Sequence, residues 1–87
     1  MKYVIFEKPD GLETVRVFDE ITDHSQVAAE VLTHRPGLKL ISAGKLLYGD
    51  DGGLYCVSGS TTLKIEYKQK QSIEDTDLLI RFFRFRA

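Results

Sequence analysis

A thiol and two imidazoles are the groups in this chain best suited to covalent chemistry: Cys56, His24 and His34. A cysteine nucleophile needs a base within hydrogen-bond reach and a third group to orient that base. Spacing along the chain does not bring the three together. Cys56 stands between Tyr55 and Val57 in an apolar run, where a free cysteine reads as a small buried hydrophobe. His24 falls at a helix start and His34 at a helix end, where an imidazolium favours the C-terminal dipole. Both histidines read as surface residues. A small enzyme using Cys56 therefore ranks third among the functions considered.

Other catalytic and ligand-binding signatures are incomplete. There is no Cys-x-x-Cys, no His-x-x-x-His and no calcium loop; Asp50-Asp51 lacks the ligands that should follow. Ala43-Gly44-Lys45 is followed by Leu46 and has Leu40 at the first glycine position, so it is not a phosphate loop. Ser42, Ser58 and Ser60 lie in no nucleophile elbow. No metal and no cofactor is expected.

The C-terminal run Arg81-Phe82-Phe83-Arg84-Phe85-Arg86 is the least ordinary feature. Arginine interleaved with aromatic residues suits stacking on single-stranded nucleic acid or anchoring a protein interface. The plainer reading is a helix whose phenylalanines enter the core and whose arginines complement the C-terminal dipole. Three phenylalanines in four positions cannot share one narrow helical face. Phe82 or Phe85 is expected to be partly exposed or covered by a second subunit. Arg81, Phe82, Arg84, Phe85 and Arg86 are the candidate binding residues.

The elements that must position these groups fit one domain. The chain has 87 residues, 43% hydrophobic and 29% charged, with net charge −1. That excludes the strong overall basicity of many DNA-binding modules. Charge is uneven: residues 1–37 carry four Lys/Arg and seven Asp/Glu, and residues 38–87 carry eight and six. One cysteine cannot form an internal disulfide. Glu7 cuts the N-terminal apolar run too short for a signal peptide, and no stretch is long enough for a membrane span. A cytoplasmic protein without a membrane partner is expected.

Two turn signals, Pro9-Asp10-Gly11 and Gly49 to Gly53, each lie between apolar runs and read as hairpin loops. Tyr3 to Glu7 and Glu13 to Phe18 form the first pair of strands. Asp23 caps a helix with Gln26 closing a capping box and Ile21 stapling against Val27 or Ala28. Val27, Ala28, Val31 and Leu32 form its apolar stripe, and Arg35-Pro36-Gly37 ends it. A strand lies within Leu38 to Leu47, with a bulge at Ala43-Gly44, and Leu54 to Ser58 forms the next. Thr61 to Lys68 alternates most regularly and is expected as a fifth strand, with Leu63, Ile65 and Tyr67 inward. Ser72 then caps a second helix, with Asp75 reaching back. Glu74, Asp75 and Asp77 crowd its first turn, and Ile73, Ile80 and Phe83 lie near one face. The expected class is α+β: a mostly antiparallel sheet of four to five strands with two helices on one face, in the order ββαβββα.

Three fragments carry a resemblance: Ile41-Ser42-Ala43-Gly44, then Cys56 with Ser58-Gly59-Ser60 and Leu63, then Glu74-Asp75-Thr76-Asp77-Leu78-Leu79. Together they resemble short uncharacterised proteins of bacterial phage and prophage regions. The resemblance implies a small accessory protein and assigns no activity and no residues. The functional expectation is a non-enzymatic binding protein acting on a protein partner or on itself, as a homodimer. A nucleic-acid accessory protein using the arginine segment is the alternative.

Overall fold

Tyr3, Val4, Ile5 and Phe6 are apolar without a break, and all four are buried. A strand that is apolar on both faces needs cover on both faces. The computed structural model supplies it; the backbone is described for residues 1–86 and the side chains for residues 1–84. The elements run β1 (Lys2–Glu7), β2 (Glu13–Phe18), α1 (His24–His34), β3 (Lys39–Tyr48), β4 (Leu54–Ser58) and α2 (Gln69–Arg86). The strands form one antiparallel sheet in the order β2-β1-β3-β4. The class is α+β.

The two helices lie on opposite faces of this sheet, not together on one. Val4, Phe6 and Ala43 pack with Val27, Ala28 and Val31 of α1. Tyr3, Ile5, Leu46 and Cys56 pack with Leu79 of α2. Alternation along β1 separates the two clusters. The register of β1 on β3 slips between Ile5 and Phe6: Ile5 pairs with Ser42, and Phe6 pairs with Leu40. The extra residue is Ile41, so the bulge precedes Ala43-Gly44. It turns both Ile41 and Ser42 toward α2.

The segment 61–68 is not a strand. Ser60 and Ile65 exchange backbone bonds of 2.9 Å each, and Lys64 N–H donates to the Thr61 carbonyl at 3.2 Å. Lys64 takes a left-handed φ of 58° to close this loop. Leu63 and Ile65 still reach the α1-side core, whereas Tyr67 is exposed. The physical reason lies at the edge of β4. Its outward N–H groups are already taken: Cys56 N–H donates to Thr76 Oγ1 at 2.8 Å, and Ser58 N–H donates to Ser72 Oγ at 2.9 Å. Helix α2 occupies the place of a fifth strand.

Both helix starts also differ in detail from expectation. At α1, Asp23 N–H donates to Gln26 Oε1 at 3.0 Å, but Ile21 is 92% exposed and staples nothing. Helix α2 begins at Gln69, three residues before Ser72. Ser72 and Asp75 are therefore interior and buried, its first turn carries no acidic residue, and Ile73 faces outward.

Candidate functional site

The groups with chemical potential are bonded into the interior on the α2 side. Asp75 is buried, and its Oδ2 accepts from Tyr3 Oη at 2.6 Å and from Ser42 Oγ at 2.5 Å. Its Oδ1 accepts from Gln71 Nε2 at 2.8 Å. Tyr3 reaches Asp75 only because Gly44 has no side chain. A Cβ there would stand 2.6 Å from Tyr3 Oη and 2.9 Å from Ser58 Cα, and would also collide with the Val57 carbonyl. Burial foremost, then the Asp75 carboxyl, pushes the Tyr3 hydroxyl far above the ordinary tyrosine value. Alongside, the Ser72 hydroxyl lies 3.0 Å from both Ser58 Oγ and the Lys68 carbonyl. Among the described residues no buried side-chain nitrogen or oxygen is left without a partner. The cluster docks α2 on the sheet, and Asp75 and Gln71 border a surface cleft of about 350 Å³.

Cys56 belongs to the same interior. It is buried, and burial raises its thiol to about 11 against a partly opposing Thr76 hydrogen bond. That is the reverse of an activated nucleophile. His24 is a core histidine, not a surface one. Its ring Nε2 bonds the Gly44 carbonyl at 2.8 Å, and it meets Phe18 edge-on at 5.5 Å. Burial lowers its pKa. His24 belongs to the α1 layer and Cys56 to the α2 layer, so the sheet stands between base and thiol. His34 is exposed at the end of α1, with Nδ1 2.9 Å from the Glu30 carbonyl.

The C-terminal candidates form the last turns of α2. Arg81 and Arg84 are exposed, and Arg81 Nε donates to the Asp77 carbonyl at 3.3 Å. Phe82 and Phe83 are half-buried and meet edge-on at 5.7 Å. They border a hollow of about 310 Å³ with Val15, Arg16 and Val17 of β2. The side chains of Phe85 and Arg86 lie outside the described residues.

Two surface features remain. One hollow, about 790 Å³, lies where β1, β3 and β4 meet the start of α1. Lys2, Lys45 and Lys64 line it together with Glu20, Asp23 and Glu66, so its charges balance. The Met1 ammonium donates to Glu20 at 2.6 Å, and Lys2 Nζ donates to the Thr22 carbonyl at 3.0 Å. The second feature surrounds the β4 edge. Tyr55, Tyr67 and Ile73 border a hollow of about 390 Å³ and are 44%, 60% and 58% exposed. Leu47, next to Leu46 that packs under α2, points to the opposite face of the sheet, where it is 38% exposed. Sequence reasoning placed Tyr67 inside and overlooked the Tyr55, Tyr67 and Ile73 group, because its three members come from β4, a loop and α2.

No group of three or more metal-ligating side chains comes together among the described residues, and none of their helices is long and apolar enough to cross a membrane. No protein-family model, curated protein or solved structure matches the chain.

Proposed function

We propose that this chain is a non-enzymatic accessory protein that binds another protein through the surface formed by Tyr55, Tyr67 and Ile73 at the β4 edge. The observation that supports this reading is the exposure of those three residues, while Tyr3, His24 and Asp75 are committed to internal bonds and Cys56 is buried. Exposed tyrosines offer broad, rigid contact area with a polar tip, the usual make-up of an interface anchor. Asp77 lines the same hollow, and Asp51 sits in the loop beside Tyr55. The partner that fits is therefore an apolar segment flanked by Lys or Arg.

A displayed peptide library selected on the folded chain tests this. Basic sequences with aliphatic or aromatic anchors are expected. Their affinity should fall by at least about tenfold in a Tyr55→Ala/Tyr67→Ala variant. It should hold in Arg81→Ala/Arg84→Ala. Selection of acidic sequences, or binding that follows the arginines and not the tyrosines, overturns the reading and moves the contact to the end of α2.

A further inference from the structure

We propose that β2 is a dimerisation edge that pairs antiparallel with β2 of a second copy of this chain, through a two-fold axis at Val15. The two edges of the sheet are treated differently. The β4 edge is closed by hydroxyls of α2. Nothing among the described residues hydrogen-bonds to the outer edge of β2. Open edges invite pairing with another chain, and native proteins commonly block them.

The ladder fixes which groups are open. Leu46 N–H donates to the Met1 carbonyl, so Met1 and, by alternation, Tyr3 and Ile5 point their backbone groups at β3. Lys2, Val4 and Phe6 then bond to Phe18, Arg16 and Thr14 of β2. The backbone groups of Glu13, Val15 and Val17 face outward. The axis that overlaps all three passes through Val15: it sets Val15 against Val15 and Glu13 against Val17. An axis one residue later would oppose Arg16 to Arg16, where like charges repel.

The flanking surface agrees in apolarity and in charge. Val15 and Val17 are only half-buried and border Phe82 and Phe83. Glu13 instead borders the cleft that holds Glu74, Asp77 and Arg81. The two-fold brings the acidic Glu13 end of one copy beside the Val17 end of the other, where the following turn of α2 carries exposed Arg84. This edge lies across the sheet from Tyr55 and Tyr67, so it stands or falls independently of the peptide-binding face.

Sedimentation equilibrium on the whole chain at about 100 μM, a concentration that populates a micromolar dimer, should give twice the monomer mass. A monomer there overturns the proposal. Val15→Pro removes an N–H that the monomer does not use, so the chain should stay folded and become monomeric. A folded Val15→Pro that still dimerises also overturns it. Because that variant can misfold, a register test runs in parallel. In the proposed register two Val15 Cα atoms stand about 5.5 Å apart, within disulfide range. Val15→Cys should therefore oxidise to a covalent dimer, while Val17→Cys, facing Glu13, should not. Equal cross-linking of the two, or of neither, refutes the register and the edge.

Discussion

Removing the Asp75 carboxyl should be the most damaging small change in the interior. Asp75→Ala takes the acceptor from Tyr3 Oη and Ser42 Oγ, whose residues are 0% and 1% exposed and out of reach of water. Each orphaned buried donor costs about 1–3 kcal/mol. Release of a desolvated carboxyl offsets part of this, so the net loss should be about 3–5 kcal/mol. A domain of 87 residues has about 4–13 kcal/mol in all. The sharper readout is a double-mutant cycle. Tyr3→Phe alone should cost about 1.5–3 kcal/mol, the worth of a hydrogen bond to a charged acceptor. In the Asp75→Ala background the same change should cost nothing or stabilise, because it removes a hydroxyl that has already lost its acceptor. Urea unfolding followed by circular dichroism measures all four corners. At an m of about 1–1.5 kcal/mol/M, Tyr3→Phe moves the midpoint by about 1–3 M. Equal cost of Tyr3→Phe in both backgrounds would refute the claim that this bond docks α2.

Gly44→Ala should lose about 2–3 kcal/mol, since the new methyl meets backbone of β4 and displaces the Tyr3 hydroxyl; chemical denaturation measures it. Lys64→Gly should gain about 0.5–1 kcal/mol by relieving the left-handed φ, a rise in Tm of about 2–6 °C by calorimetry. The Cys56 thiol ionises at about 11 in the folded chain against 9.0 ordinarily, so the unfolded state loses its proton first. Its contribution is complete below pH 9 and is lost as pH rises toward 11. The loss amounts to about 2–3 kcal/mol, and the Tyr3 hydroxyl acts in the same direction. Cys56→Ala should flatten that alkaline limb, and a thiol reagent should label the native chain far more slowly than the urea-unfolded chain. His24 gives the mirror case: its pKa is lowered by burial, so stability should fall as pH drops below the ordinary 6.5. His24→Phe should blunt that acid limb in the same pH series.

The strands β1, β2 and β4, helix α1 and both hairpin loops were legible because their signals are local. Alternation, a capping glutamine and a Gly-rich turn act within a few residues. The placement of both helices on one face was an error that β1 itself could have corrected, because Tyr3 to Phe6 has no polar side. The start of α2 was misread for a different reason. Its buried stripe runs Ser72, Asp75, Leu79, and the first two are polar, so an apolar pattern selects Ile73 instead. The candidate surface was not legible, since Tyr55, Tyr67 and Ile73 come from three separate segments and share no period.

By itself the sequence determined the class: α+β, with two hairpin signals, an amphipathic first helix and no complete motif for metal, phosphate or nucleophilic chemistry. Tertiary structure alone decided the status of the 61–68 segment. Its alternation of Leu63, Ile65 and Tyr67 suits a strand, but a strand needs a free edge, and Thr76 and Ser72 hold that edge. Tertiary structure also decided that Asp75, polar and in isolation a helix-start residue, is a core residue of a long helix. A carboxyl can be buried only where donors converge on it. Those donors, Tyr3 and Ser42, come from strands more than thirty residues away, aligned by one bulge and one missing side chain at Gly44.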